Sequence, residues 1–171
     1  QLGLTPTGLA RAKAKVRSVA TDGLGAIEAL LETAAAYAQD HGADFQAEVD
    51  RYVDGVITGE LNVCIEIRQA CERYLRDLQN PKWDFRPDRA DEVIAIIESS
   101  VCHQQGEFLD ATPLRGTPFI LLPYHKFIVY NVMGFYIAGT NERRFKEAMD
   151  FVPRKNIKTT FAAALAWALA L

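Results

Sequence analysis

The sequence contains only three cysteines, Cys64, Cys71 and Cys102, and they show none of the short paired spacings of a structural zinc site. An odd number cannot pair off completely, so reduced thiols in a cytosolic protein are the simplest reading. Cys64 and Cys71, seven apart, are expected on one helical face as small buried groups. Long apolar stretches are as scarce. The one that stands out, Phe161 to Leu171, falls short of the roughly 20 residues a bilayer-spanning helix needs, and no membrane partner is expected. Charge of a single sign is missing too: 19 basic and 22 acidic residues give a net charge of −3, which excludes a wholly basic nucleic-acid-binding surface. There is no repeat, no low-complexity segment and no Met at the start. The chain opens at Gln1 and stops inside an apolar run, as a piece of a longer protein is expected to do.

What remains is a globular composition, 49% hydrophobic and 24% charged over 171 residues. That length suits one domain, or a domain with part of a second. The cations are unevenly spread: Arg11, Lys13, Lys15 and Arg17 crowd one end, Arg154, Lys155 and Lys158 the other.

Periodicity predicts helices through the first 80 residues. Thr5-Pro6 caps a helix running to about Ala20. Ala26, Ile27, Leu30, Leu31, Ala34 and Tyr37 form an apolar stripe that His41-Gly42 is expected to end. Phe45, Val49, Tyr52, Val53 and Val56 form the next, ending near Gly59, and Leu61 to Leu78 a third, stopped by Asn80-Pro81. Asp84 to Pro87 reads as a turn, and Ala90 to Val101 as a further amphipathic helix. Two Gly and two Pro make 106–118 a loop. Pro123 opens a helix expected to reach about Ala138, Gly139 to Glu142 reads as a turn, Arg144 to Val152 as a buried strand, and Thr159 to Leu171 as a helix. Being apolar on every face, that last helix is expected to be buried. The expected fold class is therefore a mainly α N-terminal region leading into the first strand-loop-helix of an α/β P-loop NTPase. Its expected segments are an N-terminal helical region (1–58), a helical linker or lid (59–118) and the start of an ATPase domain (119–171).

The loop before the last helix carries the chemistry. Phe151-Val-Pro-Arg-Lys-Asn-Ile-Lys-Thr-Thr sets three cations against a helix N-terminus, where positive charge is disfavoured unless an anion is held there. Lys158-Thr159 supplies the last pair of a G-x-x-x-x-G-K-[ST] phosphate loop, but Val152 and Ile157 occupy both glycine positions. The chemistry is partly intact. Lys158 would reach the β- and γ-phosphates, Thr159 would ligate Mg²⁺, and Thr160 with the helix amides would cradle phosphate oxygens. Arg154 and Lys155 add charge. The alternative reading of the same residues is a basic loop capped by Thr159 ahead of a core helix.

Pro153-Arg-Lys-Asn-Ile-Lys-Thr-Thr resembles the P-loop of the phage terminase large subunit, in which an arginine opens the loop and the first Walker glycine is commonly absent. The resemblance extends through Gly59-Glu-Leu, Ala70-Cys-Glu-Arg-Tyr-Leu-Arg-Asp-Leu, His103-Gln-Gln-Gly, Gly116-Thr-Pro-Phe-Ile-Leu-Leu-Pro-Tyr-His and Arg143-Arg-Phe, so it covers about Tyr52 to Leu171. It implies an ATP-driven motor using Mg²⁺ to move double-stranded DNA into a procapsid in the host cytoplasm. The parent would be a homo-oligomeric ring on the portal protein, loaded by the small terminase subunit, with a nuclease domain absent here. The residues it implicates are Arg154 and Lys158 in catalysis, Tyr124, His125, Lys155, Asn156, Ile157, Lys158, Thr159 and Thr160 around the nucleotide, and Thr159 on the metal. Two positions depart from the family: Ile157 stands where Gly is usual before the P-loop Lys, and His125 where Gln often reads the adenine edge.

Outside the loop, Tyr124 and His125 read equally as an interfacial Tyr and a capping or exposed His. Arg143 and Arg144 read as phosphate or DNA contacts or as surface charge on a turn. Arg11 to Arg17 read as DNA-phosphate contacts or a solvated helix. His103 and His41 carry no assigned role, and Glu92, Glu98, Glu107 and Asp110 show no diagnostic pairing. The competing function is a non-enzymatic helical module that binds a protein partner or DNA, with a degenerate P-loop. Phosphoryl transfer also needs an acidic strand end to hold Mg²⁺ and orient water. None follows the loop in this sequence, so these 171 residues are expected not to turn over ATP; steady-state hydrolysis that depends on Lys158 would refute this.

Overall fold

A computed structural model describes residues 23–107, 110–149 and 157–171, with no account of the side chains at 23–24 and 42–44. The helix expected before Ala20, and Arg154, Lys155 and Asn156, lie outside the described residues. What is described is mainly helical: α1 (Gly23–Thr58), α2 (Ile65–Leu78), β1 (Trp83–Phe85), α3 (Pro87–Ser100), α4 (Pro123–Gly134), β2 (Phe135–Ile137) and α5 (Lys158–Ala168). The two short strands pair antiparallel, Trp83 opposite Ile137 and Phe85 opposite Phe135.

Helix α3 is the hub. Pro87 opens it, and Ala90, Val93, Ile94, Ala95, Ile96 and Ile97 are all buried, because α1, α4 and α5 all pack on it. Helix α1 lays Ala34, Phe45, Val49, Val53 and Val56 against this centre and runs about 54 Å at 1.5 Å per residue. It does not stop at His41-Gly42 as expected. A helical Gly costs only about 1 kcal/mol. The stripe also stays in phase across it: Tyr37 stacks on His41 at 4.3 Å and on Phe45 at 6.2 Å. The real end is Gly59, whose φ of 84° stops the helix while the Leu61 N–H donates to the Gly55 carbonyl at 2.8 Å.

Other expectations change for definite reasons. Helix α2 begins at Ile65, so Cys64 sits before its first turn and is exposed, while Cys71 is buried. Burial pushes the Cys71 thiol up to about 11, an inert packing group. The turn expected at Asp84 is half of a strand pair, and α4 ends at Gly134 because Phe135 to Ile137 pair with β1. Arg144 to Met149 are irregular instead of a strand. Arg144 turns inward to pair with the buried Asp77 and lies over the Trp83 ring at 4.3 Å and Phe145 at 4.7 Å. Helix α5 buries Phe161, Ala164 and Ala168 but leaves Ala162, Ala163, Ala166 and Trp167 exposed, so one face is covered and not the whole helix.

Beside α3, an aromatic layer locks the strands to α2 and α4. Tyr74 meets Phe85, Phe127 and Phe135 edge-on at 5.6 to 6.0 Å, an arrangement that ring quadrupoles favour. Gly134 lies against it with no room to spare: a Cβ there would come within 2.9 Å of Phe85 Cε2. Phe85 cannot yield, since Tyr74, Tyr130 and Phe135 flank its ring. Gly134→Ala is therefore expected to destabilise the fold by about 1–3 kcal/mol through overpacking, read as a lower urea midpoint with unchanged slope.

Candidate phosphate-binding site

The first turn of α5 is built on an unusual residue. Ile157 adopts φ 57° and ψ 5°, the left-handed conformation, and its carbonyl accepts the Phe161 N–H at 2.9 Å to start the helix. For an L-residue this region costs roughly 1–2 kcal/mol, and a β-branched side chain is an outlier in it. A left-handed residue beside right-handed ones turns successive N–H groups toward one concavity, a geometry that receives anions. A Gly at this position would adopt it without strain. Lys158, Thr159 and Thr160 follow on the exposed side of the turn. The amides of a helix's first turn have no partners inside the helix.

Tyr124 and His125 come from the start of α4, more than 30 residues earlier, and His125 meets α5 directly. The His125 ring stacks on Phe161 with centroids 4.5 Å apart and planes 29° apart. Tyr124, half-buried, lies 4.0 Å from His125 by ring centroid. His125 itself is 2% exposed. Its Nδ1 faces the Leu122 N–H at 3.3 Å and accepts from it, which assigns the neutral ring's proton to Nε2. The capping role is thus realised, and the ring is inside the protein.

Behind Tyr124 and His125 lies a buried ionic cluster that sequence reading did not assemble. Lys126, 2% exposed, sets Nζ 2.7 Å from Glu48 Oε2 and 3.4 Å from Glu98 Oε1, and 4.6 Å from the Phe45 ring centroid. Glu98 also accepts the Leu121 N–H at 2.9 Å and the Tyr37 hydroxyl at 3.1 Å. Burial pushes the Glu98 carboxyl up, opposed first by the Lys126 ammonium, then by the Leu121 N–H and the Tyr37 hydroxyl. Burial, then the Glu98 charge, pushes the Tyr37 hydroxyl up. One signal was available: Lys126 has Leu122, Val129 and Tyr130 as helical neighbours, and Glu98 has Ile94, Ala95 and Val101, so each is a charge set among mostly apolar residues.

Among the described residues no group of three or more His, Cys, Asp and Glu side chains is placed to hold a metal ion, and no helix is long and apolar enough to cross a membrane. Compared with known proteins, the chain matches no family model, no curated protein and no solved structure.

Ile157→Gly is expected to stabilise the chain by up to about 1 kcal/mol, because relief of left-handed strain outweighs the greater chain entropy of Gly. Urea unfolding checks this, and a loss of stability would show that Ile157 is not left-handed in solution.

Proposed function

We propose that this chain is the N-terminal part of a phage-type terminase large subunit, and that the first turn of α5 binds the phosphates of Mg-ATP. The parent protein would hydrolyse ATP to drive double-stranded DNA into a procapsid, working with a portal protein and a small terminase subunit. One observation carries the reading: His125, which it assigns to the base, stacks on Phe161, the residue directly after Lys158-Thr159-Thr160, and the Phe161 N–H bonds back to the left-handed Ile157 at the P-loop glycine position.

Each residue then has a task. The Lys158 ammonium and the amides of Thr159 and Thr160 bind phosphate oxygens, with Arg154 and Lys155 adding charge. Asn156 and Ile157 belong to the loop that the resemblance assigns to the nucleotide. The Thr159 hydroxyl contributes to holding Mg²⁺. Bound ATP supplies the phosphoryl group whose transfer drives a motor of this kind. Tyr124 is the ring positioned to pack on a base, whereas the buried His125 acts mainly by holding Phe161 and so the turn. Catalysis by Arg154 and Lys158 is assigned to the parent motor.

The burial of His125 favours a second reading, a non-enzymatic helical module in which the Lys158-Thr159 turn only starts a core helix. Calorimetric titration with Mg-ATP separates the two. Wild type is expected to bind, and Lys158→Ala to weaken binding by about 10- to 100-fold, the worth of a charged hydrogen bond. Indifference to Mg-ATP, together with salt-dependent binding of duplex DNA that is lost when Arg11, Lys13, Lys15 and Arg17 are neutralised, would establish the second reading instead.

A further inference from the structure

We infer that Glu98 is a positioning residue of the candidate site: it sets where the start of α4, with Tyr124 and His125, lies against the first turn of α5. Its consequence for ligand binding rests on the nucleotide reading above; the positioning itself does not.

Glu98 lies near the end of α3 and is 3% exposed. Its Oε1 accepts the Leu121 N–H at 2.9 Å. Leu121 precedes α4, so its amide has no helical carbonyl to bond, and it too is buried. The same oxygen lies 3.4 Å from Lys126 Nζ, one turn into α4. Glu98 therefore grips the start of α4 at two points, residue 121 just before the helix and residue 126 within it, that bracket Tyr124 and His125. From His125 the constraint passes to Phe161 through the ring stack, and from Phe161 to the turn that begins at Ile157.

A carboxylate suits this place because it only accepts. It meets three donors at once: the Leu121 amide, the Tyr37 hydroxyl at Oε2 and the Lys126 ammonium. The carboxylate's other links run to α1, so the grip is anchored to the longest helix. Tyr37 belongs to α1, as does Glu48, which holds the far side of the Lys126 ammonium at 2.7 Å. An aliphatic residue would fill the space but leave Leu121 without an acceptor, and a buried unpaired amide is costly. Glutamine keeps one oxygen for Leu121, and its amide nitrogen can donate to the Tyr37 hydroxyl.

The test uses the full chain, residue-resolved amide exchange and Mg-ATP calorimetry on three proteins. These are wild type, Glu98→Gln, and Glu98→Leu combined with Lys126→Met. The pair removes both buried charges together, since neutralising a buried pair with apolar groups usually preserves folding whereas stranding one charge does not. A cooperative thermal transition establishes that each variant folds. In the paired variant, exchange at the Leu121 and Phe161 amides is expected to quicken by about tenfold or more, the worth of one hydrogen bond to a charged group, while α2 amides around Tyr74 stay protected. Mg-ATP affinity is expected to fall by about tenfold on the same scale. Glu98→Gln is expected to restore both readouts close to wild type. Unchanged Leu121 and Phe161 exchange in the paired variant, or acceleration spread evenly over all helices, overturns the inference. So does local acceleration with no change in Mg-ATP affinity. If wild type itself ignores Mg-ATP, the nucleotide reading falls and the exchange pattern alone decides the positioning.

Discussion

The Lys126 ammonium, enclosed between Glu98 and Glu48 and lying over the Phe45 ring, is the constraint on which the rest of this structure depends. Desolvating each ion costs several kcal/mol, so such a cluster persists only when geometry and further hydrogen bonds return that cost. Here they come from the Tyr37 hydroxyl and the Leu121 amide. The cluster joins α1, α3 and α4, the same three helices whose apolar faces form the centre of the core. Apolar faces made of Ala, Val and Ile tolerate sliding; an ion pair at 2.7 Å does not. Slipping α1 by one helical turn would move Glu48 about 5.4 Å, far outside contact with Lys126. The apolar stripes bring these helices together, and the ionic cluster selects the register in which they meet.

That division explains what could be read from the sequence. Helix α3 was legible because Ala90, Val93, Ile94 and Ile97 repeat with the helical period and Pro87 marks its start. The run from Leu30 to Val56 is legible as helical, but Gly42 does not end it. Tyr37, His41 and Phe45 are each four apart, so the face continues through the glycine, and burial of Phe45 and Val49 offsets its small propensity cost. The strands were not legible. Three residues are too few to show alternation, and Trp83-Asp84-Phe85 is extended because Phe135 to Ile137 are opposite it, a pairing that local sequence does not encode. Arg144 misled for a related reason. A strand was expected from it onward, yet the position is governed by a buried carboxylate on α2, Asp77, and by two aromatic rings.

The candidate site divides in the same way. Residue types and their order pointed to Lys158, Thr159 and Thr160 at a helix start, and α5 does begin at Lys158. The conflict between positive charge and a helix N-terminus was also readable, since it needs only the macrodipole. Contact between residues 125 and 161 was not readable, because it depends on α4 and α5 both packing on α3. Nor was the split between two adjacent residues. Tyr124 stays half-exposed while His125 turns its ring inward and caps its own helix, and only the orientation of α4 decides which of them faces solvent.

Ile157 is where local preference and the observed backbone part company, and the energies show why the backbone prevails. A left-handed β-branched residue costs roughly 1–2 kcal/mol. Four residues on, Phe161 is 3% exposed, and burying such a ring contributes about 1.5–3 kcal/mol. Its stack on His125 adds about 0.5–1.5 kcal/mol. Phe161 is tied back to Ile157 by the hydrogen bond that closes the first helical turn, so the ring cannot seat without fixing the carbonyl of residue 157. The strain is thus held from the helix side by packing that outweighs it. Strain that the surroundings over-determine is found disproportionately at ligand-binding positions, where backbone geometry serves something other than stability. A helix that only needed a core-facing start could begin with an extended residue whose side chain caps the first amides. Helix α5 begins instead at a left-handed Ile157 with no side-chain cap.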